Sequence, residues 1–102
     1  MKIAYFTNPE SEISNHYLAN SLKGLGFSIM QARTKFESSE SVLSIYLVNA
    51  QKVWTNNEKD QIKNALDHNI PCYIISRSSE NCIDDTTLTN TTKLLPKNTP
   101  IL

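Results

Sequence analysis

Short apolar runs alternate with segments whose apolar residues recur at helical spacing, and this alternation organises the chain. Ile3-Ala4-Tyr5-Phe6 runs without a polar interruption, as expected of a strand buried on both faces of a parallel sheet. Asn8 is then placed to cap a helix and Pro9 to fill its first position. Glu10 and Glu12 would sit in the first turn, where the helix dipole favours carboxylates. Ile13, Tyr17, Leu18 and Leu22 give that helix one apolar face. Gly24 is expected to be its left-handed terminator, and Gly26 to help the chain reverse. Residues 27–32 (FSIMQA) read as a second strand and 33–41 as a polar connection.

Residues 42–50 (VLSIYLVNA) fit two patterns. Their β-branched content suits a strand, while Val42, Leu43, Tyr46 and Ala50 fit one face of a helix. Only about nine residues would separate such a strand from the preceding one, and a parallel crossover normally takes a dozen or more. The helix is therefore the expectation, with the third strand at 52–55, around Val53-Trp54.

Residues 51–76 form the clearest unit. Thr55 and Glu58 have the spacing of a capping box. Ile62, Ala65 and Leu66 make a narrow apolar stripe over a helix at 57–68. Asn69 can close it, Pro71 forbids its continuation, and Cys72-Tyr73-Ile74-Ile75 supplies a fourth strand at 71–76. Beyond Arg77 the chain turns rich in Thr, Ser and Asn. A short helix around 84–93 could put Ile83, Leu88 and Leu95 inward, although its threonines weaken it. The expected fold is α/β, a small three-layer parallel-sheet sandwich of about four strands and three helices. Residues 1–80 would form the core domain and 81–102 a polar C-terminal extension packed on or beside it.

Ten basic residues balance ten acidic ones in 102. This argues against a nucleic-acid partner, which usually demands a basic excess, and a near-neutral surface allows a homodimer. The four-residue apolar run after Met1-Lys2 is too short for a secretory signal, and no stretch approaches a membrane span of about 20 residues. A cytoplasmic location is expected. Two cysteines, Cys72 and Cys82, suit neither a disulfide framework nor a zinc site, and Cys72 reads as a small buried strand residue.

Ligands of open parallel sheets bind beyond the carboxyl ends of the strands. On this reading Asn8, Thr55, Asn56, Asn57 and Arg77 are the candidate ligand-binding residues, suited to an anion or a polar sugar. The alternative reading of the same residues is that they are helix caps and solvated turns. No glycine-rich phosphate loop and no nucleophile elbow is present. His16 and His68 lack metal-ligand spacing, so neither a metal nor another cofactor is called for. Trp54 is read as a core residue, with base stacking as the alternative.

Two stretches, IAYFTNP…HYLANSLKGLGF and LVNAQKVWTNNEKDQIKNALDHNIPCYII, resemble the nucleoside 2-deoxyribosyltransferase-like superfamily and, more distantly, TIR-like domains. The resemblance covers about sixty residues through loose motifs, in which an alanine helix and a proline lead into a strand. It implies a nucleoside or nucleotide ligand and, in active members, a helical carboxylate that attacks an N-glycosidic bond. Here Gln61 occupies the position matching that nucleophile, and Gln51 the position of the aspartate near the end of the family's preceding helix. A glutamine cannot be an anionic nucleophile. The resemblance thus implies a binding or regulatory descendant. A protein-interaction or adaptor module of a mobile element is the alternative. A third reading is an N-glycosidic hydrolase or transferase using Glu58, Asp60 or Glu10. A truncated glycosyltransferase half, suggested by MKIAYFTNP, ranks last.

Overall fold

A computed structural model describes residues 1–7, 17–31, 42–75 and 84–102. Four strands form one parallel sheet in the order β2-β1-β3-β4. The strands are β1 (Lys2–Phe6), β2 (Phe27–Gln31), β3 (Leu43–Asn49) and β4 (Cys72–Ile75). The described helices are α1 (Tyr17–Gly24), α2 (Asn56–Asp67) and α3 (Asp85–Thr92). None of them is long and apolar enough to cross a membrane. The expected α/β sandwich of four strands and three helices is therefore present, but its parts are distributed differently.

The period-2 geometry of a strand divides each apolar run between two faces. Tyr5, Tyr46, Val48, Cys72 and Ile74 point to one side, where Ile62 and Ala65 of α2 and Leu95 beyond α3 cover them. Ala4, Phe6, Leu47 and Ile75 point to the other, beneath Ala19 and Leu22 of α1. Because the sheet is buried on both sides, β1 beyond Lys2 and β4 show no alternation of polar and apolar residues.

Residues 42–50 are the main correction. They form the central strand β3, and residues 52–55 are loop. Pairing with β1 from Lys2↔Leu43 to Phe6↔Leu47 buries Tyr46 and Leu47 on opposite faces, which a one-sided helix could not do. Chain reach, not residue count, is the requirement for a parallel crossover. Residues 32–42, at about 3.3 Å each, can span more than 30 Å. That suffices to run back along a five-residue strand and step over β1.

At the end of α1 the left-handed residue is Gly26, with φ of 92°, and Gly24 is the last helical residue. At α2 the observed ends lie one residue before the expected 57–68, and the expected caps are present. Thr55 and Glu58 form a complete capping box. Asn69 has φ of 57°, the Ile70 N–H donates to Ala65 O and the Asn69 N–H to Leu66 O, which is a Schellman termination.

The tail is integral to the core. Asp84 caps α3 by accepting from the Thr87 N–H at 2.8 Å. Leu95 is buried, Leu88 and Leu94 pack beside it, and Ile101 bridges to Ile74 at the outer edge of β4. The inward face of α3 also includes Thr87 and Thr91, both buried, where only apolar residues were expected. The Thr91 hydroxyl donates to Thr87 O at 3.0 Å, so its polar atom is satisfied inside the helix.

Candidate functional site

The strand order places a change of direction between β1 and β3. The chain steps outward from β1 to β2, returns past β1 to β3, and then proceeds to β4. In open α/β sheets the crevice for a ligand lies at such a point, outside the carboxyl ends of the strands. Among the described residues, Thr7 and the β3–α2 loop reach it.

At the floor of this edge stands Thr7, which is buried. Its N–H donates to Leu47 O at 3.3 Å, and its hydroxyl accepts from the Asn49 N–H at 3.2 Å. Thr7 thus ties the ends of the two central strands together.

The β3–α2 loop forms the wall. Gln51 leaves the strand end, and its side-chain amide donates to Glu58 Oε2 at 2.6 Å and to Val53 O at 3.2 Å. The second Glu58 oxygen accepts from the Thr55 N–H at 3.0 Å, and the Thr55 hydroxyl accepts from the Glu58 N–H at 3.1 Å. Asn56 and Asn57 follow, exposed, in the first turn of α2. Trp54 packs its ring partly against the α2-side core. Its indole N–H is buried and meets no acceptor among the described residues.

This geometry gives both Glu58 oxygens a donor. Partial burial pushes its pKa up, but the Thr55 N–H and the Gln51 amide outweigh that, and the carboxyl titrates below its ordinary value. A carboxylate with a donor on each oxygen, held ionised, is suited to capping and poorly suited to delivering a proton. It also places negative charge at the amino end of α2, where the helix dipole would otherwise attract a phosphate. Gln51 fits this role because it donates; an aspartate there would repel Glu58.

Of the other expected residues, Thr55, Asn56 and Asn57 lie together on this edge. Asp60 is exposed on α2 and Gln61 is half-buried one residue further. Asn8, Glu10, His16, Arg77 and Cys82 lie outside the described residues. On the α2 side of the sheet Cys72 is buried, its thiol donates to Ile70 O at 3.4 Å, and burial pushes its pKa up to about 11. It is a packed thiol rather than a thiolate nucleophile. Burial, then the Cys72 and Glu58 charges, likewise raise Tyr46 above the ordinary tyrosine value. Among the described residues no cluster of His, Cys, Asp and Glu is arranged to hold a metal.

Sequence reasoning put Thr7 at the end of β1 without its tie to β3, and missed Gln51 as partner of Glu58, and Thr91. The last had a legible signal, since Thr87, Thr91 and Leu95 recur every four residues and so share a helix face.

Comparison of the chain with protein-family models, with curated proteins and with solved structures gave no match.

Proposed function

We propose that the chain is a small-ligand-binding α/β domain without strong catalysis of its own, and that its ligand, a nucleoside or nucleotide, lies over the carboxyl ends of β1 and β3. The observation that carries the reading is the reversal of strand order at β1/β3, with the polar Thr55, Asn56, Asn57 turn on the same edge. The resemblance of the sequence to the deoxyribosyltransferase-like superfamily supplies the ligand class. The ion at Glu58 favours the nucleoside over its phosphates, because the amino end of α2 already holds a carboxylate. With Glu58 pinned as a cap and Gln61 at the nucleophile position, the domain would hold its ligand without cleaving it.

A thermal-shift screen of nucleosides, nucleotides and NAD tests this reading. A ligand at about a hundred times its Kd stabilises the fold by about 2.7 kcal/mol, a readily measured rise in Tm. No stabilisation by any of them at millimolar concentration contradicts it. Release of free base on incubation would overturn the non-catalytic part alone.

A second reading as a protein-interaction module, including self-association, has one observation in its favour. Met1, Leu25 and Leu43 are exposed and lie at the amino ends of neighbouring strands. The Leu43 N–H donates to Met1 O at 2.8 Å and Lys2 Nζ to Leu25 O at 3.3 Å. A dimer in light scattering that a Leu25→Lys, Leu43→Lys pair disperses would support it, and a monomer at all concentrations would remove self-association.

A further inference from the structure

The β3–α2 loop is held from outside as well as from within. The Gln51 N–H, the first backbone donor after the sheet ladder ends at Ala50, points into the Thr91 hydroxyl at 3.1 Å. Thr91 is fully buried. Its single hydroxyl hydrogen has two acceptors in reach, Thr87 O at 3.0 Å and Gln51 O at 3.4 Å. It can serve only one at a time, and the shorter contact keeps it inside α3. Two outer fastenings flank this centre. Asn90 Nδ2 donates to Lys52 O at 3.3 Å, and Lys52 pairs with Asp84 at 3.8 Å in an exposed ion pair. The far end of the same tail is fixed separately, since the Ile74 N–H donates to Pro100 O at 2.9 Å and the Leu102 N–H to Ile74 O at 2.7 Å.

We infer that α3 is a clamp on the β3–α2 loop and that Thr91 is the positioning residue through which it acts, so that the C-terminal segment sets the shape of the candidate ligand wall. The physical reason is specific. Gln51 N–H sits where the chain leaves the sheet, in a partly buried place where a donor without an acceptor is costly. Among the described residues it is the buried Thr91 hydroxyl of α3 that reaches it. Gln51 in turn carries the amide that holds Glu58, so the clamp extends from α3 through Gln51 to the cap of α2. What the loop binds comes from the function proposed above; what holds the loop does not depend on it.

Amide hydrogen exchange on the full chain, read residue by residue without any ligand, tests the clamp. Thr91→Val keeps shape and packing but removes the acceptor. The expected result is exchange at Gln51 at least about tenfold faster, with the 52–55 amides following, while Tyr46, Leu47 and Val48 in β3 keep their rates. Thr91→Ser restores the hydroxyl and the protection. Unchanged exchange at Gln51 in Thr91→Val overturns the inference. So does acceleration shared equally by β3, which would make α3 a general part of the core, and so does a Thr91→Ser variant as fast as Thr91→Val. Should Thr91→Val not fold, the surface pair Lys52→Ala, Asn90→Ala is read instead. It should speed the 52–55 amides about threefold or more with β3 unaffected, and no local change there overturns the clamp.

Discussion

Removing the carboxylate of Glu58 probes the local chemistry of the site most sharply, since the same residue could be scaffold or catalyst. Two donors converge on it, the Thr55 N–H at 3.0 Å and the Gln51 amide at 2.6 Å, and it sits in the first turn of α2. The Thr55 hydroxyl still accepts from the backbone N–H of residue 58 in the variant, so only the reciprocal half of the capping box is lost, at the low end of the about 0.5–2 kcal/mol of a cap, and a carboxylate near a helix amino terminus adds about 0.3–1 kcal/mol. Partial exposure moves both toward their lower ends, so Glu58→Ala should destabilise by about 1 kcal/mol at pH 7, or roughly 4–8 °C in Tm for a domain of this size. Glu58→Gln can still accept from the Thr55 N–H but loses the charge and offers Gln51 a poorer partner. It should cost about half as much. The pH dependence has a fixed sign. A carboxyl whose pKa is lower in the folded state than in the unfolded chain contributes stability above its unfolded value, near 4.3, and loses it as pH falls through the folded value. The gap between wild type and Glu58→Gln should therefore be full at pH 7 and close from about pH 5 downward. Asp84, which the Thr87 N–H holds below its ordinary value, titrates in both proteins and cancels in the difference. Urea titrations followed by circular dichroism at several pH values, with m unchanged, make the measurement. A gap that is equal at pH 3 and pH 7, or an alanine variant as stable as wild type, would refute the capping account.

Two further outcomes follow from positions away from the loop. Asn69 holds φ of 57° at the end of α2, so Asn69→Ala should cost about 1 kcal/mol whereas Asn69→Gly should be neutral or stabilising; urea midpoints distinguish them, and equal effects would contradict the left-handed termination. Cys72, buried and with its thiol pushed up to about 11, should react with a thiol reagent at neutral pH only as fast as the fold opens. In a Cys82→Ser background its labelling rate should track stability across urea concentrations, and rapid labelling of the native protein would show the thiol to be accessible.

Legibility in the sequence followed local energetics closely. The capping box of α2 and the αL role of Asn69 were readable because a few adjacent residues decide them. The apolar runs of β1 and β4 were readable because burial on both faces leaves an uninterrupted pattern. Residues 42–50 were misread because Tyr46 and Leu47 are buried on opposite sides of a sheet that local periodicity does not display, and because a spacing rule was applied where chain reach was the constraint. The site was half legible. Thr55, Asn56 and Asn57 were expected after a strand at 52–55 that is loop in the fold, and they reach the carboxyl edge through the turn that follows β3. The partnership of Gln51 with Glu58 and the reach of Thr91 to Gln51, 40 residues apart, depend on the fold and on how its tail docks. A threonine in a helix reads as a weak helix former, and only the assembled core turns it into a buried acceptor.

The central claim is that a nucleoside or nucleotide lies across the ends of β1 and β3. Its most direct measurement is a nitrogen–proton correlation titration of the labelled chain with nucleosides and their phosphates. The account predicts saturable shifts at Thr7, at Asn49 and through residues 51–57, stronger for the nucleoside than for its phosphates, with β2 and the far end of α2 unmoved. Shifts confined to another surface, or none at millimolar ligand, would contradict it.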